Sequence, residues 1–130
     1  MANEQKALSV VQSYHRAWTT GQFDEAGRLL ADDLNVEVPI NNYPTKASFI
    51  DAVKQTRQMV SKVELLSELG GDREAMLLYD MTLPFGDMRI AEHFTVSGGR
   101  ITRIRQIHDT VAIRAAFAAA KGSAGMSTKP

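Results

Sequence analysis

Met88-Arg89-Ile90-Ala91-Glu92-His93-Phe94-Thr95-Val96 leads into Ser97-Gly98-Gly99 and then into a return run from Arg100 to Asp109. The arms are rich in Ile, Val, Thr and Phe, residue types that suit a pleated, half-buried surface. Two glycines at the tip supply the positive φ that a tight loop needs. The stretch therefore predicts a long β-hairpin. Closed symmetrically over Gly98, it sets Val96 opposite Arg100 and Glu92 opposite Ile104. One face then carries Ile90, Glu92, Phe94, Val96, Ile104, Gln106 and His108. The other carries Arg89, Ala91, His93, Thr95, Arg103, Arg105 and Ile107. The first face is the more apolar, yet it holds a carboxylate and a histidine. Polar groups on an apolar face are costly unless paired, so chemistry is to be sought there.

Outward from the hairpin, the pattern stays strand-like on the N-terminal side. Glu74 to Pro84 puts Leu77, Tyr79, Met81 and Leu83 on one face and enters the hairpin through Phe85-Gly86-Asp87. Val63 to Leu69 precedes it, across the turn Gly70-Gly71-Asp72. Before these, Lys46 to Ser61 reads as a helix with Phe49, Val53, Thr56 and Val60 on its buried side, and Thr45 as its N-cap. Leu34 to Asn41 alternates strictly, with Leu34, Val36, Val38 and Ile40 on one face, which predicts a half-buried strand. Pro39 marks an edge or an end. At the N-terminus, Asn3 to Thr19 spaces Leu8, Val11, Tyr14 and Trp18 as a helical stripe closed by Gly21. Phe23 to Leu30 is a short second helix ended by Asp32-Asp33. On the far side of the hairpin, Asp109-Thr110 caps a last Ala-rich helix, Val111 to Lys121. Gly122 to Pro130 reads as a loose polar tail, leaving one domain over residues 1–121. Helices segregated from strands indicate an α+β fold: a curved antiparallel sheet wrapped around three helices, a cone with an apolar cavity.

Composition narrows the function classes. The 130 residues carry 15 Lys plus Arg against 15 Asp plus Glu. With no net charge, no global field favours nucleic acid or an acidic membrane surface. The chain lacks cysteine and has three histidines, so neither a thiol nucleophile nor a zinc-site spacing is present, and no metal or cofactor is implied. No apolar run has the length of a membrane span, and the polar N-terminus lacks a signal-peptide core; the default compartment is the cytoplasm.

In its order of motifs the chain resembles the nuclear-transport-factor-2-like superfamily, and within it the SnoaL-like polyketide cyclases and ketosteroid isomerases. The resemblance runs from about Leu8 to Ala116. It is carried by Val10-Val11-Gln12-Ser13-Tyr14 with Gly21, Leu30-Ala31-Asp32-Asp33, Val36-Glu37-Val38-Pro39, Glu92-His93-Phe94, and Gly99-Arg100-Ile101 leading to Ile107-His108-Asp109. It implies a cone-shaped α+β barrel, a deep cavity, and homodimers packed through the outer sheet face. Ketosteroid isomerases pair a carboxylate base with an oxyanion hole made by a tyrosine and a protonated carboxylic acid. By motif, Tyr14 matches the tyrosine and Glu92 the acid. The base position falls on Val38, which cannot take a proton, and alternation turns the adjacent Glu37 to the opposite face. Polyketide cyclases of the SnoaL-like group use a carboxylate near the end of the last strand. Chain order matches it to Asp109; strand parity favours His108 unless a bulge exchanges them.

The expected catalytic groups are thus Tyr14, Glu92 and either His108 or Asp109. A buried Glu92 without a nearby cation would have a raised pKa. The expected cavity wall is Trp18, Val38, Tyr79, Met81, Leu83, Phe94, Ile104 and Gln106, suited to a small apolar molecule. The leading function is an enzyme acting on an apolar carbonyl compound, by isomerisation or aldol-type cyclisation through an enolate. The alternatives are a non-catalytic hydrophobic-ligand-binding module and a dimerisation domain with a filled core.

Overall fold

The computed structural model describes residues 6–128. Its elements are α1 (Lys6–Thr19), α2 (Phe23–Arg28), β1 (Leu30–Glu37), α3 (Lys46–Met59), β2 (Lys62–Gly70), β3 (Glu74–Leu83), β4 (Gly86–Ser97), β5 (Arg100–His108) and α4 (Val111–Thr128). The strands form one five-stranded sheet in the order β1-β5-β4-β3-β2. β2 to β5 are a continuous antiparallel meander. β1 joins the far edge parallel to β5, so the sheet is mixed rather than wholly antiparallel. It is curved and unclosed, and α1 lies against its concave face. There Ala7, Val11, Tyr14 and Trp18 join Leu77, Tyr79, Phe94 and Ile104 in a single core.

The hairpin that organises the chain is present, with a different register. Gly98 and Gly99 both have positive φ, 60° and 77°, the requirement of a two-residue type I′ turn. Ser97 therefore pairs with Arg100 and Val96 with Ile101. The ladder then slips by one residue at Thr102, and Thr95 pairs with Arg103. This bulge lets Ile101 and Ile104 both point into the core, where strict alternation would separate them. Glu92 ends opposite Gln106, and Ile90 opposite His108. Tight turn and bulge together move the register by two residues from the expected one, an even shift that leaves each side chain on its expected face.

Other boundaries move for local reasons. The expected start of the first helix at Asn3 lies outside the described residues. α2 stops at Arg28, and the next strand begins at Leu30 rather than Leu34. Leu30 pairs with Ile101, and an irregularity before Asn35 leaves Asp32 and Asp33 exposed within the strand. Alternation across Leu34 to Ile40 hides that irregularity and also overruns the strand end: β1 stops at Glu37, and Ile40 turns to φ 60°. α4 runs past Lys121 to Thr128.

Thr45 caps α3 as expected. Its hydroxyl accepts from the Ser48 amide at 3.1 Å, and the Ser48 hydroxyl accepts from the Thr45 amide at 3.1 Å. This reciprocal box satisfies two otherwise orphaned donors. Thr45→Ala is expected to cost about 1 kcal/mol, measured as a lower urea midpoint with an unchanged slope.

Candidate functional site

The concave sheet face, α1, α3 and the start of α4 enclose a cavity of about 430 Å³. Glu92 stands in its wall, 1% exposed. The Tyr79 hydroxyl donates to Glu92 Oε1 at 2.9 Å, and the Gln106 amide donates to Oε2 at 2.7 Å. Strand register explains both partners. Gln106 is directly opposite Glu92 on β5, while Tyr79 is opposite Ile90 on β3 and reaches Glu92 along the diagonal. Tyr14 enters from α1, its ring edge-on to Phe94 at 6.0 Å. The Tyr14 hydroxyl takes no part in the Glu92 bonds, and the side chain lines the same cavity.

Electrostatics set this group apart. Burial raises the Glu92 pKa, and the hydrogen bonds from Gln106 and Tyr79 partly oppose it, leaving it at about 7 against an ordinary 4.5. Two donors aimed at one carboxyl favour its ionised form. Glu92 thus exchanges its proton near neutral pH rather than being held permanently neutral. Burial, and then the charge of Glu92, keep Tyr14 and Tyr79 protonated well above the usual phenol range. Both remain hydrogen-bond donors.

His108 lines the cavity. Its Nδ1 lies 3.1 Å from the Asp109 carbonyl oxygen. A carbonyl only accepts, so Nδ1 is the donor in this contact. Asp109 is not part of the cavity. Its Oδ1 accepts from the Val111 amide at 2.9 Å and caps α4. The bulge of β5 lies at Thr102, away from the strand end, so parity holds and His108 is the inward residue.

Of the expected wall, Trp18, Val38, Tyr79, Met81, Leu83 and Gln106 line the cavity. Phe94 and Ile104 do not. They are paired with one another beyond Glu92 and Gln106, fully buried in the core that supports Tyr14. Val38 does occupy the wall, and Glu37 faces away, its carboxylate 3.6 Å from Arg103 and 3.4 Å from Arg105. Arg89 is likewise on the outer face, held by Asp80 at 2.8 and 2.9 Å. Three contributions escape sequence reasoning. One is Tyr79 as the partner of Glu92, which the two-residue turn Pro84-Phe85 signals by setting Leu83 opposite Gly86. Another is the α3 wall of Phe49, Val53, Thr56 and Met59, whose apolar stripe reads simply as core. The third is Ile113 and Phe117 of α4 at the mouth, for which no local pattern exists.

The family model of the SnoaL-like domain matches residues 11–104. The chain belongs to this family. Among solved structures, this SnoaL-like chain is 31% identical to a Kribbella flavida protein, with a TM-score of 0.83, covering 91% of this chain and 98% of that one. A second Kribbella flavida structure, described as a candidate ketosteroid isomerase, is 15% identical, with a TM-score of 0.70 and coverage of 82% and 80%. An LEH-like epoxide hydrolase from M. tuberculosis is 18% identical, with a TM-score of 0.67 and coverage of 82% and 85%. These last two likenesses show the fold alone, one shared with solved structures described as NTF2-like. A search of curated proteins gives no match. Among the described residues, no helix is long and apolar enough to cross a membrane.

Proposed function

We propose that this SnoaL-like protein is an enzyme acting on an apolar carbonyl compound, with a proton moved next to the carbonyl through an enolate. Isomerisation and aldol-type cyclisation both pass through that intermediate. The observation that carries the reading is Glu92: wholly buried in a cavity wall, gripped by Tyr79 and Gln106, and titrating near neutrality. A general acid or base works best with a pKa near the working pH. Tyr14, a protonated donor without a protein partner among the described residues, is suited to hold the developing oxyanion. Glu92 then takes over the proton transfer that the family resemblance gives to Asp109 and strand parity to His108. His108 remains a second polar group in the cavity wall for the ligand. The apolar wall sets a small, flat, mostly apolar substrate.

A second reading, a non-catalytic binder of hydrophobic ligands, is favoured by Val38, since the usual base position is empty of acid. The functional unit in either case is a homodimer packed through the outer sheet face, where Met76 and Ile107 stand exposed.

Thermal unfolding with a panel of planar phenols and cyclic ketones tests the pocket. A ligand at a hundred times its Kd stabilises the native state by about 2.7 kcal/mol. Tyr14→Phe is expected to weaken phenol and ketone binding about tenfold, the loss of one hydrogen bond to a buried oxygen. If no panel member raises the melting temperature, the reading fails for both ligand classes.

A further inference from the structure

We propose that a second cleft, on the opposite flank of α1, binds a small carboxylate or phosphate oxyanion. This cleft measures about 600 Å³ and lies between α1, the end of α3 and β2. It shares no lining residue with the apolar cavity. Helical spacing makes the division: Tyr14 and Trp18 look into the apolar cavity, whereas Gln12, His15, Arg16 and Thr19 look into the cleft. The partition is aromatic. The His15 ring meets Tyr79 at 4.9 Å and Trp18 at 5.7 Å.

Charge in the cleft is unbalanced. Arg16, Arg57 and Lys62 reach it from three different elements, against Glu68 as the one acid in its lining. Arg57 is held by main chain: Nε donates to the Thr19 carbonyl at 2.7 Å and a terminal nitrogen to the Val60 carbonyl at 3.2 Å. Neutral carbonyls orient a guanidinium without cancelling its charge. No ion pair among the described residues involves Arg16 or Arg57, and Lys62 has only Glu64, at 3.9 Å. One Glu68 oxygen accepts the Gln12 amide at 3.0 Å. His15 closes the floor, buried, with Nδ1 lacking any partner. Converging cations repel one another unless an anion joins them, and arginine's planar fork pairs with carboxylate or phosphate oxygens. The geometry therefore defines the ligand by its oxygens; carboxylate and phosphate are told apart by which probe binds more strongly.

Succinate and inorganic phosphate, titrated into the full chain at low ionic strength and followed by calorimetry and amide chemical shifts, test this. Binding of either is expected, with shifts confined to α1, the end of α3 and β2. The stronger of the two identifies the oxyanion class. Arg16→Gln combined with Lys62→Gln should weaken it by at least about tenfold. Glu68→Gln should tighten it, an opposite change that loss of folding cannot mimic. Glu92→Gln should leave it unaltered, which separates this site from the apolar cavity. The proposal is overturned if neither anion binds with a Kd below about 1 mM, if the shifts fall elsewhere, or if the cation variants bind as the wild type does.

Discussion

Glu92→Gln is expected to lower proton exchange at the carbon next to a bound ketone by at least about 100-fold, the usual size of a general acid–base contribution. Deuterium uptake from heavy water into cyclic ketones, followed by nuclear magnetic resonance, measures it without knowledge of the natural substrate. The substitution is informative because it preserves shape. The oxygen of the introduced amide still accepts from one neighbour, and the Tyr79 hydroxyl can accept from its nitrogen. What disappears is the capacity to exchange a proton. If Glu92 served only as a neutral donor to an oxyanion, its amide replacement would donate too, and exchange would fall less than about tenfold. The same variant has a stability signature. The native pKa of about 7 exceeds the ordinary 4.5, so the native state holds a proton that the unfolded chain releases. The contribution of this proton is present in full below pH 4.5 and is lost as pH rises through 7. The difference is about 3 kcal/mol. Wild type should therefore lose about that much stability across this window that Glu92→Gln does not lose. Urea unfolding at pH 4.5 and above about pH 8 compares them, and parallel curves for the two proteins would remove the buried titration from the account.

The site was legible in the sequence as far as period-two alternation reaches. Alternation depends only on parity, and the tight turn at Gly98-Gly99 plus the Thr102 bulge displace the ladder by an even number. So Glu92, Gln106 and His108 stand on the expected face, whereas their partners differ. Glu92 faces Gln106 instead of Ile104, and that exchange adds the Gln106 amide to the Tyr79 hydroxyl as a second donor to the carboxyl. Parity also places His108 inward and Asp109 outward, where the family resemblance alone points to Asp109. Diagonal reach across strands lies beyond a one-strand pattern, so Tyr79 reads as an apolar wall residue though its hydroxyl binds Glu92. The parallel placement of β1 is decided by pairing between residues far apart in sequence, Leu30 with Ile101 and Val36 with Ile104. No local signal encodes that. The end of the cavity at α4 is similar: Ile113 and Phe117 have meaning only once the cavity mouth exists.

His15→Phe is expected to remove an acid limb from the stability profile and, by doing so, to expose the opposite limb of Glu92. Burial holds the imidazole neutral, its pKa lowered from 6.5 to about 4 with a small opposing pull from Glu68. The unfolded chain therefore takes up a proton below pH 6.5 that the native state refuses until about 4. Stability from this group is present above 6.5 and is lost as pH falls through 4, an effect of about 3 kcal/mol. Glu92 acts in the reverse sense over an overlapping window, gaining stability as pH falls from 7 toward 4.5. The two slopes nearly cancel between pH 4.5 and 6.5 in the wild type, giving a flat profile that conceals both. Phenylalanine retains a ring edge for Trp18 and Tyr79 and eliminates the unpartnered Nδ1. Its profile should rise by about 2 kcal/mol as pH falls across that window, while Glu92→Gln should decline by a similar amount. The double variant should be flat again. A wild type that steepens sharply below pH 6.5, with His15→Phe unchanged, would mean that other groups control acid unfolding and that His15 is protonated at no cost.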